Sequence, residues 1–328
     1  MSLIRRVNLH SLKELVETVL FRWSYDWESI KTSDDKTLIL FFNSMWGQPL
    51  NFPESDLPEG CEITTNKQRF REAAAVVFHI PSLGCLNRVR KSPGQIWVAR
   101  SKECETHYPR LRDPDFMKQF DLTMTYHRHA DVVDPYYGPH FEQLLRTRPK
   151  PKTWDKLVTF FASSDHDRSG RIGYAAELMR YLEVHSFGRR LRNRRLTQDR
   201  GRTTKLETIA GYKFTLAFEN AVAEDYVTEK FYDPLIAGSV PVYLGALNVD
   251  DFAPADHCYI NVADFKNPKA LAQYLLALNR NDAEYQKNLA WKHQPLRPTF
   301  LKLLDEQRTH PLIRLCQKVQ DLKVCRQQ

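Results

Sequence analysis

Short apolar runs separated by turn residues occupy the first part of the chain. Four of these runs predict β-strands, at residues 37–42, 74–80, 95–99 and 122–126. Proline and glycine residues lie between the runs and predict turns there. Upstream, residues 11–20 carry apolar side chains at helical spacing and predict an amphipathic helix. Because its polar face carries Glu14 and Glu17 beside Lys13, we expect this helix to pack on its own domain rather than lie on a membrane surface.

Strands and helices alternate in the second part of the chain. Apolar runs predict strands at residues 157–162, 213–218 and 240–244. Helical periodicity predicts helices at residues 172–181, 229–237, 268–278, 281–291 and 311–324. Between the two parts, residues 146–152 read Arg-Thr-Arg-Pro-Lys-Pro-Lys, which favours neither structure and predicts a linker. We therefore expect an α/β fold with two Rossmann-like domains, residues 1–150 and residues 151–328, facing each other across a cleft.

Composition and charge narrow the function classes. Hydrophobic residues make up 42% of the 328 residues, which is enough for packed cores and excludes a globally disordered chain. The net charge is +8, but residues 189–205 alone hold seven Arg and one Lys against one Asp, so the remaining chain is nearly neutral. We interpret this basic loop as a solvated surface segment, with a polycation near a diphosphate or an acidic membrane as the alternative. Because the charge is confined to one loop that is poor in aromatic residues, we expect no nucleic-acid partner.

The apolar runs and the cysteines bear on the cellular compartment. No uninterrupted run of 18 apolar residues occurs, so we expect no transmembrane anchor in this chain. None of the six cysteines forms a Cys-x-x-Cys pair, which argues against a structural zinc site. A chain of this length does not need disulfides to stabilise its core, so we expect free thiols.

The stretch from residue 214 to residue 230 has the most specific pattern. An apolar strand is followed directly by Glu219-Asn220, and Thr228-Glu229-Lys230 then begins a helix. Polar groups at the carboxyl end of a strand, close to a helix N-terminus, are how α/β sheets build phosphate and nucleotide sites. Lys230 can face a diphosphate together with free backbone N–H groups. Glu229 and Tyr226 suit sugar hydroxyls, and Asn220 suits the edge of a nucleobase.

This stretch belongs to a longer window that closely resembles the donor-binding motif of the α1,3-fucosyltransferases, an inverting family that uses GDP-fucose. The matching groups stand at the family's spacing: Tyr212-Lys213-Phe214, Phe218-Glu219-Asn220, Asp225-Tyr226, Thr228-Glu229-Lys230, Ala237-Gly238, Val240-Pro241-Val242 and Leu244-Gly245. Ala221 departs from the pattern, because the family usually has Ser there. The resemblance implies a glycosyltransferase fold of the GT-B type. It assigns donor binding to six residues of the window: Lys213, Glu219, Asn220, Tyr226, Glu229 and Lys230.

A second matching group follows the strand at residues 157–162. Ser163 and Ser164 stand where the family has a serine-containing turn, and Arg171 falls where the family has an Arg at the start of a helix. The resemblance therefore adds these three residues to the donor site. With Lys230, Arg171 can neutralise a diphosphate leaving group, so we expect no required metal or other cofactor, although a divalent metal could stimulate the reaction. The Asp-x-Asp patterns at residues 113–115 and 165–167 are too short to indicate a metal site.

The third matching group lies in the first domain. Residues 93–103 contain Pro-Gly-Gln and, after a strand, the Ser-x-Glu arrangement in which the family carries its general base. By this match the base is Glu103, which would take the proton from the acceptor hydroxyl as that oxygen attacks the fucose anomeric carbon. Glu105 lies two residues further along and would share the same face of a strand, so it is the alternative base.

Further motifs resemble the branch of the family that fucosylates the innermost N-acetylglucosamine of plant N-glycans, among them Phe187-Gly188, Asp251-Phe252-Ala253-Pro254 and Leu289-Ala290-Trp291-Lys292. The resemblance implies transfer of L-fucose from GDP-fucose, with inversion, to O3 of an N-acetylglucosamine or a glucose in a glycan acceptor. Two alternatives stay open. One is a GT-B glycosyltransferase that uses another nucleotide sugar, and the other is a non-catalytic protein that binds nucleic acid or glycans through its basic loop.

One departure from the family bears on the compartment. Ile313 stands where the family's C-terminal Cys-x-x-Cys has its first cysteine, so the disulfide of that motif is lost. With no anchor expected, this loss favours a cytoplasmic enzyme of the bacterial type. A trimmed catalytic domain of the Golgi lumen is the alternative.

Overall fold

The computed structural model describes residues 36–48, 50, 57–86, 89–152 and 157–327, so the helix predicted at residues 11–20 lies outside the described part. The strands are β1 (Thr37–Phe41), β2 (Cys61–Thr64), β3 (Ala75–His79), β4 (Ile96–Ser101), β5 (Leu122–Thr125), β6 (Val132–Val133), β7 (Val158–Phe160), β8 (Val184–Ser186), β9 (Phe214–Phe218), β10 (Val240–Leu244) and β11 (Ile260–Asn261). The α-helices are α1 (Pro114–Met117), α2 (Phe141–Leu145), α3 (Arg171–Leu178), α4 (Arg202–Ile209), α5 (Glu229–Ala237), α6 (Pro268–Arg280), α7 (Asp282–Lys287), α8 (Pro298–Glu306) and α9 (Pro311–Gln327).

The chain divides into two compact units, one formed by Met1–Asp134 with Thr309–Gln328 and the other by Pro135–Arg308. This division differs from the predicted domains 1–150 and 151–328 in two ways. The boundary lies before α2, because Leu145 of that helix is buried in the apolar cluster of the second unit. The terminal helix α9 packs on the first sheet, so it belongs to the first unit. The segment predicted as a linker, residues 146–152, therefore lies inside the second unit.

The first unit is built on a six-stranded parallel sheet with the strand order β2-β1-β3-β4-β5-β6. Strands β1, β3 and β4 are rich in apolar residues and are buried along nearly their whole length, as expected for strands covered on both faces. One face packs against α9 through Leu312, Leu315, Cys316 and Val319, which recur at helical spacing. Because all the strands are parallel, their carboxyl ends meet at one edge of the sheet.

A disulfide joins Cys61 of β2 to Cys316 of α9 in this unit. It corrects the expectation of free thiols for these two cysteines. The return of α9 to the first sheet brings together residues that are 255 positions apart, and sequence spacing alone cannot reveal such a pair. The other cysteines with described side chains, Cys85, Cys104, Cys258 and Cys325, are free thiols.

The second unit has a five-stranded parallel sheet with the order β11-β10-β9-β7-β8, so β9 is the central strand. One apolar cluster contains Phe231 and Tyr232 of α5, and a separate cluster contains Leu271 and Leu275 of α6. Two parallel sheets packed with helices confirm the predicted α/β fold of two Rossmann-like units. Within the described residues, no helix combines the length and the apolar character that crossing a membrane requires.

Candidate functional site

The central strand β9 delivers polar side chains to the carboxyl end of the second sheet. All five residues of β9 are buried, and the next two, Glu219 and Asn220, are 0% and 5% exposed. Helix α5 begins at Glu229, and Thr228 caps its N-terminus by accepting a hydrogen bond from Lys230 N. The local sequence thus brings a strand end and a helix N-terminus together, as predicted.

The carboxylate of Glu219 holds the start of α5. Its Oε1 accepts a hydrogen bond from Thr228 N at 2.8 Å, and its Oε2 accepts one from Thr228 Oγ1 at 2.8 Å. Burial raises the pKa of Glu219, and the charge of Lys230, whose Nζ lies 3.4 Å from Oε2, only partly offsets this. Gly245 of the motif leaves room for this side chain, because a Cβ there would lie 2.6 Å from Glu219 Cγ. Glu219 therefore positions other groups rather than facing solvent.

Lys230 is a partly accessible cation at this strand end. Its Nζ donates to Thr228 Oγ1 at 3.0 Å and to Glu229 Oε1 at 3.1 Å, and its side chain is 19% exposed. Burial acts to lower the pKa of Lys230, but the charges of Glu229 and Glu219 outweigh burial and raise the pKa above its usual value. Burial acts to raise the pKa of Glu229, yet Lys230 and Lys205 lower it to about 2. A protonated ammonium beside a helix N-terminus can bind a diphosphate.

Arg171 begins helix α3 and is only 1% exposed. Its guanidinium donates to three backbone carbonyls, to Phe218 O at 3.1 Å, His166 O at 3.3 Å and Ser164 O at 3.5 Å. Burial lowers the pKa of Arg171, although nearby carboxylates oppose this. The side chain ties the loop after β7 to the end of β9, and its Nε has no hydrogen-bond partner among the described residues. The contact of Arg171 with a diphosphate stays a prediction.

The loop between β7 and α3 is held by its own serines. Ser163 Oγ and Ser164 Oγ each accept a hydrogen bond from a backbone N–H at 3.2 Å. Ser169, which sequence reasoning missed, donates from Oγ to Glu219 O at 2.6 Å. A single serine in a polar loop carries no sequence signal, so only the fold identifies it. The two predicted serines thus shape the loop that borders Glu219, and their contact with a ligand stays a prediction.

Asn220 and Tyr226 are buried beside this network. Asn220 Oδ1 accepts no hydrogen bond from the residues that the structure describes. Tyr226 is 1% exposed and packs edge-on against Tyr136, with 6.4 Å between the ring centroids, so its predicted contact with a sugar hydroxyl stays a prediction. The neighbouring Asp225 has a left-handed backbone with φ 61°, and hydrogen bonds in both directions with Asn248 hold it. Sequence reasoning missed Asn248, because it lies on a separate segment.

The structure separates Lys213 from the other predicted donor residues. Lys213 precedes β9 and Glu219 follows it, and a strand of five residues spans about 16 Å. Lys213 Nζ lies 3.3 Å from Asp282 Oδ1 and 4.7 Å from the centroid of the Tyr285 ring, at the amino end of the strand. The motif includes residues at both ends of β9, and residues at opposite ends of one strand cannot contact the same phosphate. The structure therefore does not support Lys213 as a donor contact.

The basic loop at residues 189–205 is largely neutralised by carboxylates. Six of its cations form ion pairs: Arg189 and Arg190 with Asp165, Arg194 with Glu183, Arg200 with Glu207, and Arg202 and Lys205 with Asp233. Its last residues belong to α4, so the expected solvated loop is partly a helix. Asp165 pairs with two arginines of this loop, and Asp167 Oδ2 accepts a hydrogen bond from Ile172 N at 3.3 Å. Both carboxylates of the Asp-x-Asp pattern at residues 165–167 therefore stabilise the local structure.

In the first unit, Glu103 lies just beyond the carboxyl end of β4. Ser101 Oγ accepts a hydrogen bond from Glu103 N at 3.0 Å and donates one to Glu103 O at 2.9 Å, which fixes the backbone of this turn. Glu103 is half-buried. Burial, together with the charge of Glu103, raises the pKa of Tyr108 to about 12, so the carboxylate and this phenol are neighbours.

The carboxylate of the alternative base, Glu105, already interacts with three side chains. Its Oε2 accepts a hydrogen bond from Tyr126 Oη at 2.5 Å and lies 3.4 Å from His127 Nε2, and its Oε1 lies 3.2 Å from Arg112 Nη2. Burial acts to raise the pKa of Glu105, but hydrogen bonds from His127 and Tyr126 lower it well below its usual value. A carboxylate stabilised so strongly in its ionised form is a weak proton acceptor, which favours Glu103 as the base.

Three aromatic side chains form a group that adjoins Glu103 through Tyr108, and we call its residues, Trp46, His79 and Tyr108, the Trp46 surface. Trp46 is 44% exposed, and its ring centroid lies 5.5 Å from that of His79 and 6.0 Å from that of Tyr108. Asn43 fixes the backbone of His79 through hydrogen bonds of 2.8 and 2.9 Å. Sequence reasoning missed this surface, because its residues lie at or beyond the ends of different strands and only the sheet brings them together.

Comparison with known proteins identifies relatives of this chain. The family model described as "Glycosyltransferase family 10 (fucosyltransferase) C-term" matches residues 151–328, and "Fucosyltransferase, N-terminal" matches residues 34–137. The 4-galactosyl-N-acetylglucosaminide 3-alpha-L-fucosyltransferase 9 of Bos taurus is 30% identical over 80% of this chain and 74% of its own length. The protein of that name from Mus musculus is 31% identical over 71% of this chain and 64% of its own length. A fucosyltransferase-like protein of Arabidopsis thaliana is 33% identical over 69% of this chain and 43% of its own length.

Solved structures share the fold. A crystal structure of an alpha1,3-fucosyltransferase with GDP-fucose is 17% identical, with a TM-score of 0.56, and the match covers 88% of this chain and 95% of that chain. A structure of an alpha1,3-fucosyltransferase with GDP is 15% identical, with a TM-score of 0.56, and covers 93% and 95%. At these identities the likeness shows the fold alone, which is of the GT-B type predicted. From the two family matches and the relatives in sequence, the chain belongs to the fucosyltransferases of glycosyltransferase family 10.

Proposed function

We propose that this chain transfers L-fucose from GDP-fucose, with inversion, to O3 of an N-acetylglucosamine or a glucose in a glycan acceptor. The observation that carries the proposal is Lys230, a partly exposed ammonium that two carboxylates keep protonated at the start of α5. It supplies the positive charge that a nucleoside diphosphate needs at a strand end followed by a helix. The names of the mammalian relatives describe 3-α-L-fucosyl transfer to a galactosyl-N-acetylglucosaminide, which supports this acceptor class.

The proposed reaction is a single displacement. Glu103 accepts the proton of the acceptor hydroxyl while that oxygen forms its bond to C1 of fucose. The bond from C1 to the β-phosphate oxygen breaks on the opposite face, so GDP leaves with the electron pair and the configuration at C1 inverts. Lys230 neutralises the charge that develops on the diphosphate. Because Glu219 already fixes the start of α5, this stabilisation requires no rearrangement.

The remaining donor contacts are assigned to groups around Lys230. The side-chain Oδ1 of Asn220 can accept a hydrogen bond from guanine, and the partly exposed carboxylate of Glu229 can accept from a ribose or fucose hydroxyl. Arg171 adds a second positive charge close to Lys230, beneath the loop that carries the two predicted serines. Since two cations serve the diphosphate, we propose that transfer requires no metal, although a divalent ion can stimulate it.

For the acceptor, we assign the Trp46 surface of the first unit. The indole of Trp46 is 44% exposed and offers an apolar face on which a sugar ring can stack, and it contacts Tyr108, the neighbour of the proposed base. For the compartment, the Cys61–Cys316 disulfide favours oxidising conditions. Of the two predicted locations, we therefore propose the Golgi lumen rather than the cytoplasm.

A transfer assay tests the proposal. GDP-fucose is supplied with N-acetyllactosamine or with an N-glycan core acceptor, with and without EDTA, and the linkage of the product is determined by NMR. We expect an α1,3-linked fucose on at least one acceptor, and EDTA should not abolish it. GDP-mannose and UDP-galactose are the donor controls. Transfer from a control donor but none from GDP-fucose would instead indicate a different glycosyltransferase, and absence of any transfer or GDP binding would indicate a non-catalytic protein.

A further inference from the structure

A second basic site lies at the amino end of β9, the opposite end of this strand from Glu219 and Lys230. A cavity of about 980 Å³ opens there, between residues 148–152, Lys213 and the helices α6 and α7. It is larger than the cavity of about 730 Å³ in the first unit. None of the residues assigned to catalysis lines it, so the proposed reaction leaves this cavity unexplained.

The described lining of this cavity is strongly positive. Its charged residues are four cations and one carboxylate: Arg148, Lys150, Lys152, Lys213 and Asp282. The carboxylate is paired with Lys213 at 3.3 Å. Arg148 and Lys150 are exposed and form no ion pair with any residue that the structure describes. The cavity therefore has an excess of positive charge that the described protein does not neutralise.

The wall that carries these cations is held in place. Pro149 packs directly on Gly238, where a Cβ would lie 2.8 Å from Pro149 Cα, so only glycine allows this approach. Lys152 Nζ donates to Ala210 O at 2.6 Å. Lys213 Nζ lies 4.7 Å from the centroid of the buried Tyr285 ring. The basic segment is thus anchored at both ends, and the cavity is a built feature rather than the surface of a free loop.

Positive charge also accumulates behind the cavity. Lys292 is 3% exposed, and its Nζ donates to a neutral acceptor, Leu145 O, at 2.7 Å. Burial, reinforced by the charges of Lys152 and Arg146, lowers the pKa of Lys292 to about 8. Burial and the charge of Lys150 likewise lower the pKa of Lys152 to about 8. A bound anion would offset this mutual repulsion, because it favours the charged form of every lysine around it.

We propose that this cavity binds a phosphate-class anion, at a site separate from the diphosphate site at Lys230. Arg148 and Lys150 line the cavity with donors that no ion pair with a described residue occupies, which suits a tetrahedral oxyanion with several acceptor oxygens. The same chemistry is offered by a free phosphate compound and by the phosphate headgroup of a lipid. The proposal does not depend on the fucosyl-transfer activity.

Calorimetric titration with inorganic pyrophosphate tests this proposal. It is performed at constant ionic strength on the full chain saturated with GDP, so that the Lys230 site is occupied. We expect pyrophosphate still to bind, and the double variant Arg148→Gln, Lys150→Gln to bind it at least about tenfold more weakly. Both side chains are exposed, so the variant should fold and keep its affinity for GDP. Lys269→Gln, an exposed cation at the far end of α6, is the matched control and should bind like wild type.

Two outcomes would overturn the proposal. One is no heat of binding in the GDP-saturated protein, and the other is equal affinity of wild type and the double variant. Vesicles of phosphatidylcholine with and without phosphatidic acid distinguish a lipid headgroup from a free phosphate compound as the source of the anion. Binding to the acidic vesicles that is lost in the double variant would support a lipid headgroup, and pyrophosphate binding without vesicle binding would support a free phosphate compound.

Discussion

The carboxyl ends of β9 and β4 carry the two proposed halves of the chemistry, and they are built differently. At β9, Glu219 is fully buried and its carboxylate binds Thr228 and Lys230, so the charged groups hold one another in place. At β4, a backbone turn closed by Ser101 positions Glu103, whose side chain stays partly accessible. The end of β9 is a buried network of hydrogen bonds and ion pairs, whereas the end of β4 is a turn with a partly accessible side chain.

The difference follows from what each end must do. A diphosphate needs fixed positive charge, which a buried network supplies without rearrangement. A base must exchange a proton with an incoming acceptor, and this requires access and sufficient proton affinity. Glu105 shows the contrast within one unit, because its hydrogen bonds hold its pKa low and make it a poor base. Substitutions at β9 should therefore reduce stability and donor affinity, whereas substitutions at β4 should mainly reduce rate.

The largest expected effect is on the rate at the β4 end. Glu103→Gln removes the proton acceptor but keeps the size of the side chain, so kcat should fall by about 10²–10⁴. The free energy of unfolding should stay unchanged. Steady-state kinetics and urea denaturation measure the two quantities. Glu105→Gln is the comparison, and it should lose stability because Tyr126 and His127 lose a charged acceptor. A loss of kcat confined to Glu105→Gln would move the base to residue 105.

The next effect is on stability at the β9 end. Glu219→Gln replaces the buried carboxylate that accepts hydrogen bonds from Thr228 and lies beside Lys230, so the free energy of unfolding should fall by about 1–3 kcal/mol. Urea denaturation measures the change. Glu306→Gln, an exposed glutamate at the end of α8, is the control and should change stability by less than about 0.5 kcal/mol. Equal stability of the two variants would show that Glu219 does not hold the start of α5.

A smaller effect is expected on acceptor affinity. Trp46→Ala removes the exposed ring of the Trp46 surface, so the KM for the acceptor should rise about tenfold. The KM for GDP-fucose should not change, because the donor is assigned to the other unit. Trp46→Phe keeps an aromatic face and should recover most of the affinity. A higher KM for the donor with an unchanged KM for the acceptor would remove this residue from the acceptor site.

The smallest effect is the dependence of stability on pH. Burial acts to raise the pKa of Glu229, but Lys230 and Lys205 lower it to about 2. A carboxylate whose pKa is lower in the folded state stabilises the fold above its usual pKa near 4.5. This contribution is lost as the pH falls toward about 2. Because the Glu229 side chain is 40% exposed, we expect a loss below about 1 kcal/mol between pH 5 and pH 3.

Urea denaturation of wild type and Glu229→Gln at both pH values measures this contribution. The variant should lose less stability on acidification than wild type, because it has no carboxylate to protonate at this position. Identical losses in the two proteins would mean that Glu229 does not interact with the two lysines in solution.

The long buried elements could be predicted from the sequence, because their apolar runs are flanked by turn residues. Strands β1, β3, β9 and β10 and helix α5 lie within about one residue of their predicted bounds. Strands β6 and β11 have two residues each, which is too short for any periodicity. Helix α4 begins inside the basic loop, and its cations Arg202 and Lys205 pair with Asp233. The density of charge along the sequence does not reveal this pairing, so it suggested a solvated segment.

The candidate site likewise contains some features that the local sequence predicts and others that depend on long-range contacts. Glu219, Thr228 and Lys230 lie close together in the sequence, so a local motif contains the central contacts of the donor side. Long-range pairing defines the other features, because Trp46 meets His79 and Tyr108 only through the sheet, and Cys61 meets Cys316 only when α9 returns. The sequence could therefore predict that Glu219 and Lys230 lie close together, but not that Ser169 and Asn248 join them or that Lys213 lies at the opposite end of β9. The roles of these residues in donor binding, and of Glu103 as the base, stay predictions.

Calorimetric titration of GDP into wild type, Lys230→Gln and Glu103→Gln tests the division of roles between the two strand ends most directly. If Lys230 binds the diphosphate, Lys230→Gln should raise the Kd for GDP at least about tenfold. If Glu103 only takes a proton from the acceptor, Glu103→Gln should leave that Kd unchanged while most of the transfer activity is lost. Unchanged GDP affinity in Lys230→Gln, or weakened GDP affinity in Glu103→Gln, would contradict this account.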